Sequence, residues 1–346
     1  MTKQTRLKVL FIVEIIFAMW LSLADGAELP YTFETLDIEV PGQPLLFRIP
    51  VDINDQGRVL TNIRMADGAG QAVVTPSGGK TRIFRKQPWV FVSCNGPDTS
   101  GISLVDDVVV GMCVDAPPYK SLGFIKPLNG QLQLIDFPGA DGTMATGRST
   151  DGKLVGQFYG PLNQPLRGAL AYRFHCWTLI DGQYRQIDYP VANTFVSCEA
   201  INNKGQILMV YNTVTDQNET IEQGVVIYDN GTVTPLGKSF IHVGGPWIDF
   251  SDMNEDGVLI GMRSNNDGTP YQVFLWDDGL FFDIKFPDGW IITQLGGMNN
   301  REQFVGTYRM LTGEIDFHGD PIFERHGFLA TPAPVKTVKV RGKFGW

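Results

Sequence analysis

The densest cluster of potential ligand oxygens in the chain is Asp252-Met253-Asn254-Glu255-Asp256-Gly257. Asp252, Asn254 and Asp256 alternate, and Gly257 permits a sharp turn, which matches the first half of a calcium-binding loop. The position where such a loop places its bidentate Glu is Arg263. Asp52-Ile53-Asn54-Asp55-Gln56-Gly57 is a weaker cousin. Asn and Asp also hydrogen-bond their own following backbone, so the same residues suit a hairpin turn, and that is the stronger reading. Calcium is the one cofactor the sequence suggests.

Other reactive side chains are scattered. His175, His242, His318 and His326 are not paired at the spacing of an HExxH metal site, and a lone His in a strand is more often packed than reactive. No GxSxG elbow and no phosphate-loop lysine motif occurs. Asp106-Asp107 and Asp277-Asp278 are neighbours in sequence, so in a strand they would face opposite sides and at a turn they would be solvated. No catalytic residue can be nominated from spacing, although a repeat array can gather carboxylates from distant segments. Trp89, Trp247 and Trp290 precede strands, two of them in the turn-like Gly245-Pro246-Trp247 and Asp288-Gly289-Trp290. Rings so placed would suit a face that binds carbohydrate or peptide.

The elements that position these residues form a repeat. An apolar residue, Asn, two polar residues, Gly, any residue and two apolar residues recur, often followed by Gly. The phrase reads Ile53-Asn54-Asp55-Gln56-Gly57-Arg58-Val59-Leu60, then Ile201 to Leu208, then Met253 to Gly261. Met298 to Gly306 keeps everything but the first Gly, and Ser149 to Gly156 and Val105 to Gly111 are degenerate copies. The reference positions 57, 107, 152, 205, 257 and 302 lie 50, 45, 53, 52 and 45 residues apart. Each copy reads as a hairpin. A second hairpin follows each, turning at Pro76-Ser77-Gly78-Gly79, Asn129-Gly130, Asp181-Gly182, Asn230-Gly231, Asp278-Gly279 and Pro332-Ala333-Pro334.

Two hairpins per unit of about 50 residues predict an all-β fold, a β-propeller of six four-stranded blades spanning 31–342, with a short tail at 343–346. A β-helix would need shorter rungs, and tandem immunoglobulin-like domains would need about 100 residues each. An outer-membrane barrel lacks the paired period. A seventh fourth-strand phrase, Thr32 to Val40, leaves ring closure open: either it completes the last blade, or Val335 to Val340 does. Trp177, Phe274, Trp276, Phe281, Phe282 and Phe328 lie in second-hairpin strands and are expected between blades. Cys94 and Cys113 flank the Asp107 turn, while Cys176 and Cys198 fall in neighbouring units, so pairs 94–113 and 176–198 are the expected connectivity, with free thiols as the alternative.

Three features carry a family resemblance: Ile135-Asp136-Phe137-Pro138-Gly139-Ala140, the recurring Asn-x-x-Gly turn, and His326-Gly327-Phe328-Leu329. Together they resemble the HAF-type extracellular repeats, which occur in exported bacterial proteins. The resemblance implies export and blade-like strands. It covers residues 32 to about 340 unevenly, and it transfers no catalytic residue.

Lys3, Arg6 and Lys8 precede an apolar run from Val9 to Leu23, interrupted by Glu14 and followed by Ala24-Asp25-Gly26. Residues 1–26 are therefore expected to be a signal peptide, with an uncleaved anchor as the alternative, and the protein to be secreted, periplasmic or extracellular. No other segment approaches the length of a membrane span. Cleavage leaves a net charge of about −10 and no basic run, so nucleic acid is not an expected partner. Asn218-Glu219-Thr220 and Asn230-Gly231-Thr232 are glycosylation sequons only in a host that uses them. Gly is 39 of 346 residues, against an ordinary share of about 7%, and charged residues are 19%, against about 25%. This balance fits many short strands and excludes a disordered chain, a coiled coil and a helical bundle. The leading functional expectation is a binding or scaffold module for a protein, glycan or cell-surface component. The rival is a carbohydrate- or lactone-active hydrolase or lyase at the channel mouth, which would show acidic residues converging from several blades.

Overall fold

A computed structural model describes residues 28–36, 45–65, 68–74, 82–83, 100–114, 120–161, 172–187, 189, 195–214, 221–240, 247–264, 271–316 and 318–334. Among them are 25 strands and no helix. In chain order these are β1 (Glu28–Leu29), β2 (Tyr31–Leu36), β3 (Leu45–Ile53), β4 (Val59–Met65), β5 (Gly68–Val74), β6 (Arg82–Ile83), β7 (Ser100–Val105), β8 (Val108–Val114), β9 (Ser121–Pro127), β10 (Gln133–Ile135), β11 (Gly142–Arg148), β12 (Leu154–Pro161), β13 (Tyr172–Ile180), β14 (Gln183–Ile187), β15 (Phe195–Ile201), β16 (Ile207–Val214), β17 (Ile221–Asp229), β18 (Thr232–Phe240), β19 (Trp247–Met253), β20 (Leu259–Ser264), β21 (Gln272–Asp277), β22 (Leu280–Ile284), β23 (Ile291–Met298), β24 (Phe304–Ile315) and β25 (Pro321–Pro332). They form six sheets, five of four strands and one of five. Consecutive sheets touch, and the sheet of β23–β25 touches β3, so the fold is a closed β-propeller. No helix among the described residues is long and apolar enough to cross a membrane.

The repeat phrase is the turn between the first two strands of a blade. Asn54 N–H donates to Arg58 O and Gly57 N–H to Asn54 O, and the same pair of bonds recurs from Ser149, Asn202, Asn254 and Asn299. The Asn side chain closes each turn: Asn254 Oδ1 accepts from the N–H groups of Asp256, Gly257 and Val258. The turn needs a left-handed residue, so Gly is the usual choice. Glu302 takes that role in the sixth unit at φ +56°. The second unit differs, because β7 and β8 are joined by Asp106-Asp107 alone, with Asp106 at φ +53°. The Gly that often ends the phrase has a packing cause. Gly261 lies opposite Phe274 across β20 and β21, and a Cβ there would sit 2.7 Å from that ring. Gly156 with Trp177 and Gly306 with Phe328 repeat the arrangement.

The core is divided among the blade interfaces. Val110, Leu154 and Trp177 pack between the second and third sheets. Leu208, Phe250 and Phe274 pack between the fourth and fifth, and Ile284, Phe304 and Phe328 between the fifth and sixth. Leu36, Ile53 and Leu329 seal the last sheet against the first. Each large ring is buried only because a neighbouring blade covers it, so stability depends on closing the ring.

Closure comes from the N-terminus. β2 pairs antiparallel with β25, from Tyr31 opposite Pro332 to Leu36 opposite Gly327. The predicted sixth second hairpin is thus replaced: Gly327-Phe328-Leu329 sits inside β25, between β24 and β2. Val335 to Val340 lies outside the described residues. β1 also pairs in parallel with β22, a fifth strand that spacing alone did not suggest. Cys176 and Cys198 form a disulfide between the third and fourth sheets, with Cα atoms 5.4 Å apart. Cys113 is disulfide-bonded as well, and Cys94 lies outside the described residues.

Candidate functional site

The innermost strand of every blade is bulged where it faces the central channel. The register slips between Pro50 and Asp52, Gly101 and Ser103, Ala145 and Gly147, Cys198 and Ala200, Phe250 and Asp252, and Leu295 and Met298. A bulge re-aims side chains and commonly marks a site. Here the bulges surround a cavity of about 510 Å³, lined by residues from all six inner strands.

Seven carboxylates line this cavity, and four of them, Asp52, Glu199, Asp249 and Asp252, sit in the inner strands of three blades. Asp52 is 6% exposed, and its Oδ1 accepts from Ile53 N–H at 2.7 Å while Oδ2 accepts from Leu104 N–H of the next blade at 2.6 Å. Asp252 repeats the arrangement, accepting from Met253 N–H at 2.8 Å and from Met298 N–H of the next blade at 2.7 Å. Each carboxylate therefore clips two inner strands together. The two approach each other at Gly297, where a Cβ would overlap Asp52 Oδ1 and lie 2.8 Å from Asp252 Oδ2. Burial, then the facing Asp252 charge, pushes the Asp52 carboxyl well above its ordinary value, against the pull of the Leu104 and Ile53 N–H groups and the Ser103 hydroxyl. Burial pushes Asp252 up to about 6.

Glu199 and Asp249 are the second pair, on adjacent blades. Burial raises the Glu199 carboxyl, a hydrogen bond from Ser197 opposes this, and the Asp249 charge adds to it. Burial likewise raises Asp249, opposed by the Phe250 N–H. Neither is shown clipping one blade to the next, unlike Asp52 and Asp252. Arg148 lines the same cavity, and its Nη1 is buried without a hydrogen-bond partner. Ser251 and Gln294 supply neutral polar groups.

One end of the channel is narrowed by the repeat turns. Asn300 donates from its backbone and side chain to Asp55, at 2.8 and 2.7 Å, and Asn300 Oδ1 accepts from Glu255 N–H at 2.8 Å. Glu255 accepts in turn from the N–H groups of Thr150 and Asn203 on two other blades. Arg58 pairs with Asp107 at the same level of the chain's turns. With Asn54 Nδ2 also donating to Asp106 O, this collar ties all six turns into one polar rim.

The sequence-derived candidates are placed as follows. In the calcium-like stretch, Asp252 belongs to the clip, the Asn254 oxygen is engaged by its own turn, and Asp256 is exposed. Among the described residues no group of three or more His, Cys, Asp or Glu side chains is spaced to hold a metal. Trp290 stacks on Tyr308 with ring centres 3.5 Å apart and packs near Phe33 and Phe328, between blades rather than on the cavity wall. Trp247 begins β19, and Trp89 lies outside the described residues. His175 stacks on Phe158, and His326 lies 3.5 Å from Glu324. Glu199, Asp249 and Arg148 were not singled out by spacing. The signal that points to them is a charged residue inside an inner strand a few positions before the repeat turn, present in four of the six blades.

No family model matches the chain, and no curated protein matches it. Solved structures resemble it in overall arrangement at low identity. An oligogalacturonate lyase in complex with manganese gives a TM-score of 0.45 at 11% identity, over 90% of this chain and 98% of that one. The β-propeller domain of a protease from Pyrococcus furiosus gives 0.44 at 10% identity, over 84% and 94%. A gluconolactonase from Xanthomonas campestris gives 0.40 at 13% identity, over 90% and 88%.

Proposed function

We propose that this is an exported propeller of the HAF-repeat type that acts on a carbohydrate or lactone in its central channel, with Glu199 and Asp249 as the acid/base pair. The observation that carries this reading is the convergence of four inner-strand carboxylates from three blades on one polar cavity. Burial raises both carboxyls and the Asp249 charge raises Glu199 further, so Glu199 is placed as the acid and Asp249 as the base. The protonated partner donates its proton to the leaving oxygen of the substrate. The ionised partner takes a proton from water, whose oxygen attacks the ring carbon or carbonyl as the old bond breaks. Arg148 Nη1 holds the substrate oxygen on which negative charge gathers. Glycans are the expected partners, and no nucleic acid is expected.

The test is incubation of the purified protein with a panel of oligosaccharides and sugar lactones, with products followed by mass spectrometry. Turnover that Glu199→Gln and Asp249→Asn abolish, with melting temperatures no lower than the wild type's, supports the reading. A second reading, binding without turnover, is favoured by one observation: every carboxylate oxygen of Asp52 and Asp252 is already engaged by a backbone N–H. It predicts saturable glycan binding, weakened by Arg148→Ala, and no products. Neither binding nor turnover would sink both.

A further inference from the structure

We infer, on the reading that the channel is the substrate site, that it takes a sugar acid whose carboxylate is bound by Arg148. Arg148 ends β11, just past the bulge between Ala145 and Gly147, and it lines the cavity. Its Nη1 is buried without a hydrogen-bond partner. A buried guanidinium left unpaired is costly to keep, and an anion in contact relieves that cost. The lining carboxylates are engaged elsewhere. Asp52 and Asp252 accept from backbone N–H groups, Asp55 from Asn300, and Glu255 from Thr150 and Asn203. Asp106 lies in the tight turn of the second blade. Burial raises Glu199 and Asp249 toward their neutral forms. Attraction between charges falls with distance, so a ligand carboxylate in contact outweighs acids spread along the channel. The flat edge of a guanidinium also matches the two oxygens of a carboxylate.

Position along the channel says which sugar of a chain carries the acid. Arg148 immediately precedes its turn residue Ser149, whereas Glu199 lies three residues before Asn202 and Asp249 five before Asn254. Arg148 is therefore nearest the narrowed end, and Thr150, two residues on, belongs to the collar. β11 lies directly against the strand of Glu199, because a Cβ at Gly147 would sit 3.0 Å from the Glu199 carbonyl oxygen. A carboxylate on Arg148 thus occupies the collar end, and the rest of the ligand extends past Glu199 and Asp249 toward the other mouth. This suits an acid on a terminal sugar. Ser251 and Gln294 on neighbouring inner strands offer neutral partners for ring hydroxyls. Opening a sugar lactone also leaves a carboxylate, on the oxygen that Arg148 holds in the proposed reaction, so an aldonate is a second source of the same group.

Calorimetric titration of the purified protein at about pH 5.5, below the Asp252 value of about 6, tests the proposal. The probes are neutral oligosaccharides, the same ones oxidised to a uronate at the terminal sugar, sulfated matches, and aldonates. A terminal uronate or an aldonate should bind the wild type about tenfold or more tightly than its neutral match, and whichever binds identifies the source. Arg148→Gln should remove that preference. It should melt no lower than the wild type, because it sheds an unpaired buried charge. Neutral matches that bind equally well, a preference that survives Arg148→Gln, or sulfated matches that bind as tightly as carboxylates would overturn the proposal. So would a panel in which no sugar acid binds at millimolar concentration. Turnover of neutral sugars that needs Glu199 but not Arg148 would sink it and leave the acid/base reading standing. Arg148-dependent binding of sugar acids without turnover would uphold it and end the acid/base reading.

Discussion

Replacing Asp252 by Asn should remove a pH dependence that the channel builds into stability. The Asp252 carboxyl is held at about 6, against an ordinary 3.8. A raised value means the folded state binds the proton more tightly than the unfolded chain does. The stabilisation is therefore complete below pH ~4 and is lost as pH rises through about 6. The difference corresponds to at most about 3 kcal/mol. Asn resembles the neutral acid, because its one oxygen accepts one of the two N–H groups, from Met253 or Met298. Near pH 3, where the wild-type carboxyl is neutral in both states, the variant should be the less stable by about 1–3 kcal/mol, the cost of the N–H group it leaves without an acceptor. The variant should then gain on the wild type by up to about 3 kcal/mol at pH 8. Relief of Asp52, which faces the same charge, works in the same direction. Urea unfolding of both proteins at several pH values is the assay. A difference between them that stays constant with pH would refute the idea that this carboxyl titrates in the folded channel.

Further outcomes follow from the packing. Gly297→Ala should cost about 1–3 kcal/mol or more, because its Cβ overlaps Asp52, whereas Gly160→Ala, with nothing within 4 Å, should be near neutral in thermal unfolding. Phe33→Ala should cost about 2 kcal/mol and loosen ring closure, since its ring packs 4.7 Å from Phe286 and 5.8 Å from Trp290. Breaking the Cys176–Cys198 bridge with Ser should cost about 3 kcal/mol for a 22-residue separation, read as a lower unfolding midpoint under oxidising conditions. Calcium should not shift the melting temperature if Asn254 Oδ1 stays with its own turn, and a shift abolished by Asp252→Asn would restore the ion-site reading.

The architecture was legible because its turns are written in residue chemistry. Asn54, Asn202, Asn254 and Asn299 each close the same turn, and the left-handed positions fall where Gly recurs. The Gly–aromatic pairs that seat Trp177, Phe274 and Phe328 were visible only as separate surpluses, since their pairing depends on strand register. Closure was ambiguous for a physical reason: β2 and the C-terminal apolar phrase have similar strand patterns, and only the ring decides which one reaches β25. The site was the least legible part. Glu199 and Asp249 are 50 residues apart in sequence and become neighbours only when adjacent inner strands bulge toward one axis. Asp252 was noticed as a calcium ligand, while its observed partners are backbone N–H groups of two strands.

The most direct test of the channel reading is product formation from a defined oligosaccharide or sugar lactone panel by wild type, Glu199→Gln and Asp249→Asn, measured side by side. The account predicts turnover by the wild type, loss in both variants, and melting temperatures no lower than the wild type's. Turnover that survives both substitutions, or no binding and no products from any panel member, would contradict it.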